Sequence, residues 1–239
     1  MELCGNIIPT PSTAKYDPDN LHRCYRLKNH TGRCKEYPYL DHMHTVAPGV
    51  RQKIIRDATK TTGASWKSSD AGPNRISRWT MLLSDDELLQ LGISMSALKQ
   101  WVQDKLREKA APYEDCMAVA QKLTWLAYGM RNAPPADDWT RDYLESLFGT
   151  IPSGDTGCFV CLKPLDFELF HKARRGKAEI ETGHRTPRSH TAENTGFTHR
   201  ECNIAQGPLT VDEFYDWMEN VLSRARPHVL NNPSSLPTK

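Results

Sequence analysis

Cys158 and Cys161 are answered, roughly forty residues later, by His199 and Cys202 in the order H-x2-C. A thiolate pair and a mixed imidazole–thiolate pair of this kind close a tetrahedral zinc site. A chain tied to one ion at four points must turn back on itself through short elements and loops. The composition agrees with such a staple. A mean hydropathy of −0.63 and a hydrophobic fraction of 38% are low for one large core. Sixteen prolines and fourteen glycines among 239 residues favour many loops. Small domains with thin cores depend on staples, metal among them.

A second set lies near the start of the chain: Cys4, Cys24, His30 and Cys34, with Gly32 between the last two. Its ending, His-x-Gly-x-Cys, resembles a zinc knuckle, and the four residues could form a structural Cys3His site. His22, His42 and His44 are competitors for the fourth position. Six of the seven cysteines fall in these two sets, spaced with histidines, which favours zinc over disulfides. Cys116 sits on the apolar face of a helical pattern and reads as a packing residue. Neither a signal peptide nor a membrane-length apolar run is apparent, so the expectation is a soluble, intracellular protein.

The net charge of +2 says little, but its distribution says more. Residues 51–79 carry seven Lys/Arg against two Asp, whereas residues 82–150 carry seven against eleven Asp/Glu. The zinc segment is basic again, through residues such as Lys172, Arg174, Arg185, Arg188 and Arg200. That alternation suits repeated contact with phosphate across an acidic spacer. In the first basic stretch, Arg51, Lys53, Arg56, Lys60, Lys67, Arg75 and Arg78 could follow a nucleic-acid backbone, while Trp66 and Trp79 stack or pack.

Residues 84–131 read as helical. Ser84-Asp-Asp-Glu87 is a capping box; Gly92 makes a turn; a second amphipathic helix runs from Ser96 to Leu106. These are the ingredients of a helix-turn-helix as well as of a plain helical hairpin. In the former case Ser94, Met95, Ser96, Lys99, Gln100 and Gln103 would face DNA. Further helices are expected from Tyr113 to Met130, from Trp139 to Phe148, and after a capping box at Thr210-Val-Asp-Glu213. The last would cover the core with Phe214, Trp217, Val221 and Leu222.

Between the C-terminal ligand pairs stand a strand-like run, Ala178–Thr182, then His184, and a loop asparagine, Asn194; Asn203 follows Cys202 directly. With Pro187 three residues past His184 and Gly207 after the last turn, this pattern resembles the HNH, or ββα-metal, nuclease family over roughly fifty residues. The resemblance implies a general-base His184, a loop-holding Asn194, and Asn203 as an oxygen ligand for one Mg2+-like cation. It makes Cys158, Cys161, His199 and Cys202 a structural zinc box. The family often has a carboxylate just before the histidine; Gly183 stands there, and Glu181 is the substitute, with Glu179 and Glu193 behind it. Arg188 and His190 would contact phosphate.

The expectation is therefore an α+β chain of small zinc-stapled domains, mainly helical in the middle, ending in a ββα-metal module. Its parts would be an N-terminal zinc segment (1–45), a basic and helical DNA-recognition region (46–135), a nuclease domain (136–226) and a tail (227–239). The resemblance implies a DNA endonuclease of restriction type, bacterial or phage-encoded and cytoplasmic. It would act on double-stranded DNA as a homodimer. The alternatives are a phage or mobile-element nicking enzyme, and a non-catalytic zinc-dependent DNA-binding regulator.

Overall fold

In the computed structural model, described for residues 2–11, 16–61, 76–174 and 177–228, six α-helices precede the C-terminal elements. α1 (Asp41–Val46) and α2 (Pro48–Thr59) come first. α3 (Asp85–Gln90), capped by Ser84, and α4 (Gln100–Arg107) follow, then α5 (Tyr113–Tyr128) and α6 (Asp138–Phe148). After the first C-terminal cysteines come β1 (Ala173–Arg174), β2 (Lys177–Ala178), β3 (Ile180–His184) and β4 (Thr195–His199). The helices α7 (Arg200–Gln206) and α8 (Val211–Ala225) close the described chain. Among the described residues no helix is long and apolar enough to cross a membrane.

α5 is the central helix because its buried residues, Cys116, Val119, Ala120, Leu123 and Ala127, recur at three-to-four spacing. Val119, Ala120, Leu123 and Ala127 join Val50, Ile54 and Ala58 of α2, Tyr143 and Leu144 of α6, and Ile180 and Phe197 of the β3–β4 hairpin in one apolar cluster. α2 was not anticipated in the basic stretch. Pro48 fits its first turn, and Val50, Ile54 and Ala58 are four residues apart, so its basic residues lie around a narrow apolar stripe.

A smaller cluster holds α3 and α4: Ile76, Met81, Leu88, Ile93, Met95, Val102 and Leu106. The expected capping box is present, with the Ser84 hydroxyl accepting from Glu87 N and the Glu87 carboxylate accepting from Ser84 N. α4 begins at Gln100 rather than Ser96, and Met95 is buried, so Met95 cannot face a partner. Arg107 ties this unit together by donating to the carbonyls of Met81 and Leu83 and pairing with Asp85.

The second box, at Thr210 and Glu213, also forms and starts α8. α8 packs through its first two turns: Val211 and Phe214 are buried and Tyr215 and Met218 lie against the core, while Trp217 and Val221 are exposed. Trp217 stacks on Phe214 at 6.0 Å instead of entering the core.

Candidate active site and zinc centres

β3 and β4 are antiparallel, with Ile180 opposite His199, Thr182 opposite Phe197 and His184 opposite Thr195. α7 follows β4 without a break. Alternation puts Ile180, Thr182 and His184 on one face of β3 and Glu181 and Gly183 on the other. The first face meets α2, since the Thr182 hydroxyl donates to Asp57 Oδ2 at 3.0 Å. The second meets α7, where Asn203 Nδ2 donates to Glu181 Oε2 at 2.7 Å and Arg200 Nε to Glu181 Oε1 at 3.2 Å.

Gly183 is required by closeness. A Cβ there would lie 2.9 Å from Phe159 Cζ, 3.0 Å from Asn203 Oδ1 and 3.1 Å from Thr198 Cγ2. The side chain absent before His184 thus makes room for the α7 asparagine. Glu181, two residues earlier on the same strand face, reaches that asparagine. One carboxylate and one amide oxygen are hard donors of the kind Mg2+ accepts alongside water, so this donor set fits such a cation.

His184 ends β3 and is half-buried. Its Nε2 lies 3.0 Å from His190 Nδ1, and His190 Nε2 donates to the carbonyl of Ala58 at 2.7 Å. Burial, with Arg78 and Lys109 nearby, lowers His184 to about 4 and His190 to about 3, so both rings are neutral at pH 7. His190 is buried and cannot meet a phosphate as expected from the sequence.

The loop between the strands is held by Asn194. Its Oδ1 accepts from Thr186 N at 2.8 Å, and its Nδ2 donates to the carbonyls of Thr186 (2.8 Å) and Ser189. Gln206, at the end of α7, donates to the carbonyls of His184 and Leu209, both at 3.0 Å, pinning helix end to strand end. Gly207 closes α7 at φ 59°, a conformation that costs glycine little.

Of the basic residues expected at a nucleic-acid backbone, Arg78 is buried. Its guanidinium donates to the carbonyls of Lys109 (3.1 Å) and Asp57 (3.2 Å). Lys53 and Arg56 both pair with Asp57 at 2.7 Å, and Lys60 donates to Ser77 Oγ. Trp79 packs inside, against Tyr113. Trp66, Lys67 and Arg75 lie outside the described residues. Arg188 is exposed, 3.5 Å from Glu108 after α4.

Both Cys3His sets converge. In each, the four ligand atoms lie within 4.8 Å of one another. Cys24 Sγ is 3.4 Å and Cys34 Sγ 3.7 Å from His30 Nε2, while Cys161 Sγ is 3.4 Å from His199 Nδ1. Zinc bonds of about 2.0–2.3 Å in a tetrahedron give edges of about 3.3–3.8 Å, so both sets fit zinc. Burial raises the Cys158 thiol, but hydrogen bonds from Thr198 and backbone amides outweigh it and bring Cys158 down to about 6. Gly32, at φ 89°, supplies the turn between His30 and Cys34.

Two of the three histidine competitors are engaged elsewhere. His22 is buried between Asp17 (3.2 Å) and Glu36 (2.6 Å), and Glu36 also accepts from Tyr113 OH. His42 pairs with Tyr128 OH at 3.0 Å, and His44 is exposed.

Overlaid on solved structures, the chain is restriction-endonuclease-like. It matches "Crystal structure of a type II restriction endonuclease" with a TM-score of 0.82 and 40% identity, over 95% of this chain and 100% of that one. The DraIII family profile matches residues 36–202, and the chain belongs to the DraIII family. That stretch includes His184, Asn194 and the second zinc set and leaves out Cys4, Cys24, His30 and Cys34. Among functionally curated proteins, none matches the chain.

Proposed function

We propose that the chain is a DNA endonuclease of restriction type that hydrolyses phosphodiesters through an HNH, or ββα-metal, site. The observation that carries this is the β3–β4–α7 junction. It sets His184 at a strand end and brings Asn203 of the adjoining helix within 2.7 Å of Glu181 on the strand. The resemblance of the relative "type II restriction endonuclease" supports the substrate class.

His184 is the general base, taking the proton of the attacking water. In the DNA-free protein burial, and after it the cations Arg78 and Lys109, keep it neutral. A bound phosphate would offset those cations and raise the ring's proton affinity toward the working pH. Asn194 holds the loop that follows His184. Glu181 and Asn203 would hold the divalent cation, with Arg200 orienting Glu181. A Mg2+ ion bound there would supply charge neutralisation for the hydrolysis. The two zinc centres are closed by four protein ligands each and are structural. The residues from Ser84 to Glu108, tied to the catalytic loop through Arg188 and Glu108, take part in choosing the DNA, and two copies acting together make the double-strand cut.

Supercoiled plasmid and Mg2+ test this reading. Linear product with defined ends, mapped by run-off sequencing, supports it. Nicked circles without linear product favour the nicking alternative, and binding without cleavage at any divalent-metal concentration favours the regulator.

A further inference from the structure

The carbonyls at the end of α2 have no partners within the helix, and three of them are met from outside. Asp57 O accepts from Arg78 Nη2 and Thr59 O from Arg78 N, while Ala58 O accepts from His190 Nε2 at 2.7 Å. A carbonyl can only accept, so Nε2 of His190 carries its proton. In the neutral ring Nδ1 then has only a lone pair. That nitrogen faces His184 Nε2 at 3.0 Å, so His184 must donate there. Its own proton is consequently on Nε2, and Nδ1 is left with the free pair.

We propose that His190 is a positioning residue that fixes the tautomer and orientation of His184, so that Nδ1 is the nitrogen that receives the water's proton. This rests on His184 being the base. The chain of bonds runs from the rigid end of a helix packed on α5 to the last residue of β3, spanning 132 positions in sequence between Ala58 and His190. It gives an otherwise orphaned carbonyl the task of setting a ring. Burial, with the charges of Arg78 and Lys109 nearby, holds His190 neutral, so the proton stays on His184 and His190 acts as an anchored acceptor rather than a relay.

The tautomer can be read without any cleavage, from long-range 1H–15N spectra of histidines in the full-length protein. The expected signature is His184 protonated at Nε2 with a bare Nδ1. His190→Phe keeps the ring shape and removes both bonds; it should lose the single-tautomer signature and cut about 10- to 100-fold more slowly, as when an orienting partner is removed elsewhere, with KM for DNA unchanged. His190→Asn places an acceptor oxygen where Nδ1 stood. It should recover part of the rate and the Nε2–H form, and it remains informative if His190→Phe fails to fold. A His184 protonated at Nδ1 in the parent, or a folded His190→Phe that cuts at the parental rate, overturns the proposal. If His184→Ala cuts normally while the parent shows the expected tautomer, the base assignment fails and the hold of His190 on the ring stands.

Discussion

Replacing Gly183 with alanine is the smallest change that probes how α7 meets β3. The added methyl would start 2.9 Å from Phe159 Cζ, 3.0 Å from Asn203 Oδ1 and 3.1 Å from Thr198 Cγ2. Ordinary carbon contacts are about 3.5–4.0 Å, so three neighbours on three elements must each retreat by roughly half an ångström or more. Phe159 and Thr198 are buried, and Phe159 also lies 3.2 Å from where a Cβ of Gly196 would be, so it has little room to move. Overpacking of this kind costs about 1–3 kcal/mol. The lower entropy of the unfolded alanine chain returns about 0.4–1 kcal/mol. The net loss of about 0.5–2 kcal/mol lowers Tm by roughly 1–8 °C in a chain of this size. The second effect is functional: Asn203 is pushed from its place beside Glu181, so the Mg2+ concentration for half-maximal cleavage should rise. Differential scanning calorimetry and Mg2+ titrations of plasmid cleavage measure both. A Gly183→Ala protein that melts at or above the parent with an unchanged Mg2+ requirement would refute the close approach of β3 and α7.

Further outcomes are expected. Elemental analysis of the purified protein should give two zinc ions per chain. Cys34→Ser should lower that to one, and a single ion in the parent would remove the N-terminal centre. Glu181→Gln should weaken Mg2+-dependent cleavage at least tenfold while leaving zinc content at the parental value, since the two sites share no ligand. Stability should fall as pH drops from about 6.5 toward 4. Unfolded histidines bind protons in that window, whereas His184 (about 4) and His190 (about 3) do not, and the unfolded state is favoured wherever it binds more protons. Comparing the Tm–pH slope of the parent with that of His190→Phe isolates the pair, and parallel slopes would contradict the depressed values. Ser84→Ala should cost about 1 kcal/mol by removing the α3 cap, visible in denaturant unfolding.

Much of the frame was legible because its signals are local. Ser84 with Glu87, and Thr210 with Glu213, announce helix starts within four residues, and both ligand sets declare themselves by spacing. α2 was hidden because its apolar stripe is narrow and its neighbours are basic. The cover expected from Trp217 and Val221 does not form: they continue the sequence pattern of Phe214 but stay exposed. The strand before His184 was placed two residues early, since Ala178 belongs to β2 and the strand that pairs with β4 runs to His184 itself. Least legible were Arg78 and His190. Each looks like a phosphate contact in the sequence, yet each is spent on the last carbonyls of α2, a long-range pairing that no local pattern encodes. Glu181 could be found by strand alternation alone, because it shares a face with the position before His184.

The central claim, that His184 is the base of a Mg2+-dependent DNA-cutting site, is tested most directly by His184→Ala. The variant should keep both zinc ions and bind DNA, while its cleavage of supercoiled plasmid in Mg2+ drops by at least about 100-fold, the lower range for loss of a general base. A folded, zinc-replete His184→Ala protein that cuts as fast as the parent would contradict the account.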